Sequence, residues 1–134
     1  MTGSPSGPPG RRQATETILL VEDQDAVAVA ARRILTRQGY TVLSARDGSE
    51  ALALLASATA RIDVVVTDLT MPNMGGIELI GHLAHSDPLL PVVYMSGYAD
   101  GGTLPSEVTR HTFLQKPFTI DALAAAVRAA LGRA

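Results

Sequence analysis

The stretch Ile18-Leu19-Leu20-Val21-Glu22-Asp23 sets four consecutive aliphatic residues directly before two carboxylates. A strand with one wet face alternates apolar and polar residues. A run that is apolar on consecutive residues suits a strand covered on both faces, as in a parallel sheet flanked by helices. The next segment changes period: Val27, Ala30, Ala31, Ile34 and Leu35 recur at i, i+3, i+4, i+7 and i+8, which reads as the inward stripe of a helix. Gly39 supplies its left-handed stop. Thr41-Val42-Leu43 then opens a second apolar run. Strand, helix and strand in that order form the repeating unit of a parallel α/β sheet.

The same unit continues outward along the chain. Further apolar runs stand at Val64-Val65-Val66, Val92-Val93-Tyr94-Met95 and Thr112-Phe113-Leu114, giving five strands. A helix after Gly48 turns Ala51, Leu54, Leu55 and Ala58 inward, and one after Gly76 turns Ile77, Ile80, Leu83 and Ala84 inward. The C-terminal helix carries Leu123, Ala126, Val127, Ala130 and Leu131 on one face. Thr119 is its N-cap, Phe118 and Leu123 form a hydrophobic staple, and Gly132 ends it. Between the last two strands, Gly101-Gly102, Pro105 and the β-branched Thr103, Val108 and Thr109 leave about two turns of helix at most, over 104–110.

Composition narrows the function. The chain of 134 residues is one domain's worth, able to bury about two thirds of its unfolded surface. Hydrophobic residues make up 46% but aromatics only 4%, so the core is built from Ala, Val, Leu and Ile. A net charge of -2 leaves no broad basic field to attract nucleic acid or anionic lipid. The absence of Cys excludes a disulfide scaffold, a thiolate metal site and a cysteine nucleophile, and fits a reducing compartment. No apolar run approaches membrane-spanning length, and the first residues lack the apolar centre of a secretion signal. Residues 1–15, with Gly3, Pro5 and Gly7-Pro8-Pro9-Gly10, read as a disordered linker or tether, and 16–134 as the folded domain.

In a parallel sheet the carboxyl ends of all strands lie on one edge, so residues far apart in sequence converge there. Glu22 and Asp23 follow the first apolar run, Asp68 the third, Ser96 the fourth and Lys116-Pro117 the fifth. Taken singly, an Asp after a strand is most often a turn former or cap, and Ser96-Gly97 reads as a turn. Lys116 resists so plain a reading, because it is the chain's one lysine among 11 basic residues. Together they place three carboxylates, a hydroxyl and an ammonium on one rim. Three crowded carboxylates must be partly protonated or hold a cation, and hard oxygen ligands favour Mg²⁺. The natural guest is a phosphoryl group: Asp68 attacks in line, Lys116 pairs with one oxygen and Ser96 hydrogen-bonds another.

At this point the residues resemble the response-regulator receiver domains of two-component signalling, in the chemotaxis-regulator fold, over about 17–131. The carriers are Leu20-Val21-Glu22-Asp23, Val66-Thr67-Asp68-Leu69-Thr70-Met71-Pro72-Asn73-Met74-Gly75-Gly76, Met95-Ser96-Gly97 and Phe113-Leu114-Gln115-Lys116-Pro117-Phe118. The resemblance implies a single doubly wound (βα)5 domain with strand order 2-1-3-4-5 and helices on both faces; the stretch from Gly97 to Arg110 departs from that pattern, so the fourth helix is expected to be short or irregular. It implies Asp68 as phosphoacceptor, with Mg²⁺ held by Asp23, Asp68, the Thr70 carbonyl and Glu22. Ser96 and Phe113 match the switch hydroxyl and switch aromatic, and Lys116-Pro117 the lysine with its cis bond. Glu22 stands where Asp is commoner, which adds a methylene to its reach.

The function so implied is a phosphoacceptor that takes its phosphoryl group from a histidine kinase or a histidine phosphotransfer protein and changes conformation. It is a self-phosphorylating acceptor, open to slow autodephosphorylation, rather than an enzyme. The glycine- and proline-rich tether and the segment Glu16-Thr17-Ile18-Leu19-Leu20-Val21-Glu22-Asp23 resemble receivers at the end of hybrid sensor kinases. A stand-alone single-domain regulator is the alternative. The expected setting is cytoplasmic, with any membrane tether belonging to the sensor, and the expected state a monomer or weak dimer without nucleic acid. An aspartate-nucleophile phosphatase also fits Asp68-Leu69-Thr70, but such enzymes place the aspartate after the first strand and need a cap that this length cannot supply. A pure interaction module would leave these groups unused. His82 and His85, at i and i+3, lack a third ligand and read as solvent-facing. Met71 and Met74 read as packing residues, and Arg32 and Arg33 as a solvated helix face in preference to a dock for an acidic kinase surface.

Overall fold

A computed structural model describes residues 16–57, 61–69, 74–87, 89–96 and 111–132. The strands are β1 (Thr17–Val21), β2 (Thr41–Ala45), β3 (Val64–Asp68), β4 (Val92–Ser96) and β5 (His111–Gln115). The helices are α1 (Asp25–Arg37), α2 (Gly48–Ser57), α3 (Gly76–Ser86) and α4 (Ile120–Ala130). All strand pairings are parallel, in the order β2-β1-β3-β4-β5. The 2-1-3-4-5 sheet expected from the resemblance is therefore present. The tether reading of 1–15, the short helix over 104–110, Ala58, Thr70 and Met71 lie outside the described residues.

Consecutive apolar residues serve two cores because successive side chains leave opposite faces of a strand. Ile18 and Leu20 of β1, Val64 and Val66 of β3, and Val93 and Met95 of β4 pack with Ala31 and Leu35 of α1 and with Leu123, Ala126 and Val127 of α4. Leu19, Val21, Val65, Val92 and Tyr94 pack on the other face with Ala51 of α2 and Leu79, Ile80 and Leu83 of α3. The three central strands β1, β3 and β4 are buried at every position. At roughly 1.5–3 kcal/mol for each large aliphatic side chain removed from water, these faces supply the main driving force.

The helix ends follow local chemistry. Thr119 caps α4 by accepting a hydrogen bond from the Ala122 N–H at 3.0 Å. Phe118 packs against the cluster that holds Leu123, as a staple should. Gly39 (φ 98°) and Gly132 (φ 78°) take the left-handed conformation that lets the chain leave α1 and α4. Two inward assignments need correction. Ala30 is exposed, so the buried stripe of α1 runs through Ala31 and Leu35 with Ile34 beside them. Ile77 is 41% exposed and Leu79 takes its place inside. Leu79 and Ile80 fix the phase of α3, and Ile77 in its first turn falls at the border of the stripe.

Candidate functional site

The β1–α1 loop is folded by its own acid. The Glu22 N–H donates to the Ala45 carbonyl at 3.0 Å, which extends the β1–β2 pairing one step past Val21 and buries Glu22 at the sheet edge. Glu22 Oε2 accepts from the Gln24 N–H at 3.1 Å and turns the chain toward α1. Asp23, between them, is half-buried. On the next strand across the sheet Asp68 is the last residue of β3 and is buried. The Lys116 N–H donates to the Ser96 carbonyl at 2.8 Å, so the end of β4 positions the residue that follows β5. The Lys116-Pro117 bond is cis.

These backbone placements bring the charged groups together. Lys116 Nζ lies 2.9 Å from Glu22 Oε1 and 3.0 Å from Asp68 Oδ2. Carboxylate oxygens of Glu22, Asp23 and Asp68 all lie within 4.8 Å of one another. Two like charges about 4 Å apart repel by about 1 kcal/mol in water and about 4 kcal/mol at the effective dielectric of a protein surface. Lys116 offsets part of this. Burial pushes the Glu22 carboxyl above its ordinary range, against the pull of Lys116 and the Gln24 N–H, and the nearby Asp68 charge adds to the rise. Burial pulls the Lys116 ammonium down, but hydrogen bonds to Glu22 and Asp68 outweigh it and leave the ammonium held above its usual value.

One ammonium among three carboxylates leaves the cluster short of positive charge. Asp23 Oδ1 is buried and makes no hydrogen bond among the described residues. A buried carboxylate oxygen without a donor is costly unless a cation supplies the missing charge. The donors available are hard oxygens, without imidazole or thiolate, which fits a Mg²⁺-like ion and not zinc or copper.

Of the other residues singled out, Ser96 is the last residue of β4 and is buried. Phe113 is half-buried, with its ring centroid 5.3 Å from that of Tyr94 and a 38° tilt between the planes. His82, His85, Arg32 and Arg33 are exposed. Met74 packs over Gly48, where an added Cβ would collide with its side chain.

The supporting roles of Gly76, read in the sequence as the start of a helix, and of Arg46 escaped the sequence reading. A Cβ at Gly76 would strike the Asp68 carbonyl oxygen and crowd Leu69 Cα, so only glycine lets α3 start hard against the end of β3. The Gly76 N–H closes this approach by donating to the Leu69 carbonyl at 3.1 Å, and the Thr67 hydroxyl donates to the Asp68 carbonyl at 3.0 Å. Arg46, directly after β2, reaches across to the β1–α1 loop. The close approach of Gly76 is tertiary and leaves no local signal. Arg46 gives none either, since its side-chain partners, Asp25 and the Asp23 carbonyl, lie 21 and 23 residues away around the start of α1.

Residues 18–128 match the model of the response regulator receiver domain, and the chain belongs to that family. Among curated relatives, the sensor kinase CckA of Brucella abortus is 39% identical over 115 residues, covering 84% of this chain and 12% of that protein. The response regulator MprA of Mycolicibacterium vanbaalenii is 36% identical over 118 residues, covering 87% of this chain and 50% of MprA. The chain thus spans half or less of these relatives. Among solved structures, the receiver domain of the hybrid histidine kinase CckA superposes with TM-score 0.71 at 38% identity, covering 86% of this chain and 98% of that one. The response regulator TrrA from Thermotoga maritima, in complex with Mg²⁺-BeF, gives 0.78 at 25% identity, covering 87% and 100%.

Proposed function

We propose that this chain accepts a phosphoryl group from a phosphohistidine onto Asp68. The observation that carries the reading is the buried Asp68 carboxylate at the end of a central strand, paired with Lys116 at 3.0 Å and crowded by two further carboxylates. An Asp68 oxygen attacks phosphorus, the P–N bond to the donor imidazole breaks, and the imidazole leaves with its electron pair and takes up a proton. The product is an acyl phosphate on Asp68. In this reading Lys116, 3.0 Å from Asp68, pairs with a phosphoryl oxygen, and Ser96 donates its hydroxyl to another once the loop after β4 moves inward. The Lys116 N–H donates to the Ser96 carbonyl at 2.8 Å, which holds the lysine at the strand ends while charge builds.

Asp23, Asp68, Glu22 and the Thr70 carbonyl are the groups we assign to Mg²⁺. When bound, Mg²⁺ neutralises the carboxylates and the incoming phosphoryl oxygens. The Mg²⁺-BeF complex of TrrA supports that assignment. Phe113 lies on the strand beside Ser96's and contacts Tyr94, a position from which it can follow a movement of the Ser96 loop. The match to CckA supports origin in a hybrid sensor kinase, with 1–15 as the connecting linker and a histidine kinase or histidine phosphotransfer protein as donor. Incubation with a small aryl phosphate and Mg²⁺ tests acceptor against phosphatase. The expected outcome is about one equivalent of acyl phosphate per chain; sustained multiple turnover would contradict it.

A further inference from the structure

Arg46 sends its guanidinium from the end of β2 toward the β1–α1 loop. One nitrogen, Nη1, lies 2.7 Å from Asp25 Oδ1, and Nη2 donates to the Asp23 carbonyl oxygen at 3.4 Å. The Arg46 N–H donates separately to Glu50 Oε1 at 3.0 Å, which anchors the backbone whatever side chain it carries. Asp25 lies in the first turn of α1, where the exposed N–H groups favour a carboxylate. The fork of Arg46 therefore ties the start of α1 and the main chain of Asp23 to the end of β2. Asp23 is also the residue whose buried Oδ1 has no hydrogen-bond partner among the described residues.

We infer that Arg46 is a positioning residue for the cation site: it fixes the β1–α1 loop so that the Asp23 carboxylate stays in the cluster with Glu22 and Asp68. This rests on the reading of that cluster as a Mg²⁺ site. Two effects of Arg46 oppose each other. As a point charge it repels Mg²⁺, and its removal would tighten binding. As a clamp it holds a ligand in place, and its removal would weaken binding. The Arg46 and Asp25 side chains are 63% and 82% exposed, so water and salt screen the charge. The fork geometry is not screened. The clamp therefore dominates, and exposure keeps its effect at the small end of what outer supports of metal ligands contribute.

Calorimetric titration of the full chain with Mg²⁺ decides between them. Arg46→Ala is expected to weaken Mg²⁺ binding roughly 3- to 10-fold. Asp25→Ala should weaken it similarly, and the double variant no further than the larger single effect, because both remove one clamp. Arg46→Lys should keep most of the affinity. Arg61→Ala makes the same change in net charge at the far edge of the sheet, and should stay within about 2-fold of the native chain. A thermal midpoint within about 3 °C of native separates a loosened loop from a damaged fold. Unchanged or tighter binding in Arg46→Ala, or equal weakening in Arg61→Ala, overturns the inference. A native chain that binds no Mg²⁺ overturns the reading of the acidic cluster itself.

Discussion

The two edges of the sheet hold their carboxylates in opposite ways. At the amino edge Asp63 is fully engaged: Oδ2 accepts from the Thr17 N–H at 2.8 Å, Oδ1 faces Arg61 Nε at 3.5 Å, and its own N–H donates to the Thr17 carbonyl at 2.9 Å. At the carboxyl edge Glu22 and Asp68 share the ammonium of Lys116, and Asp23 beside them keeps a buried oxygen without a hydrogen bond among the described residues. One carboxylate closes a structure; the others crowd like charge that the proposed Mg²⁺ would neutralise. On the proposed function, stability and function are separated along the length of the strands, a separation that perturbed groups at functional sites commonly reflect.

Substitutions at the two edges should break the contrast if it is wrong. Lys116→Ala is expected to have the largest effect, costing about 3 kcal/mol in urea unfolding without metal, because it strands buried Glu22 with unopposed charge. Added Mg²⁺ should recover part of that loss by binding the folded state, whereas a loss indifferent to Mg²⁺ would make Lys116 a packing residue. Asp63→Ala should cost less, about 2 kcal/mol, by orphaning the buried Thr17 N–H, and should leave phosphoryl acceptance unchanged. Impaired acceptance there would mean that the edges are coupled. Asp23→Asn is the smallest and the most telling. It removes like-charge repulsion and should stabilise the metal-free chain by about 0.5–1 kcal/mol while Mg²⁺ affinity falls. Destabilisation would show that Asp23 is already satisfied in the absence of a cation.

The fold was legible because its signals are local. Runs such as Val64-Val65-Val66 announce strands buried on both faces, and the spacing of Leu123, Ala126, Val127 and Ala130 announces the face of α4. Ala30 and Ile77 were misjudged because periodicity sets a stripe only to within about one residue at its borders. Tertiary contact then picks Leu79 over Ile77. The gathering of Glu22, Asp23, Asp68 and Lys116 was readable from strand ends alone, since a parallel sheet aligns them. The supports of that site were not. Gly76 matters through contact with the Asp68 carbonyl and Arg46 through a loop on the neighbouring strand.

The most direct measurement is intact-mass analysis after incubation with acetyl phosphate, with and without Mg²⁺, on the native chain and on Asp68→Asn. The account predicts one added phosphoryl group on the native chain, dependent on Mg²⁺, and none on Asp68→Asn. Equal modification of Asp68→Asn, or modification of the native chain that ignores Mg²⁺, would contradict it.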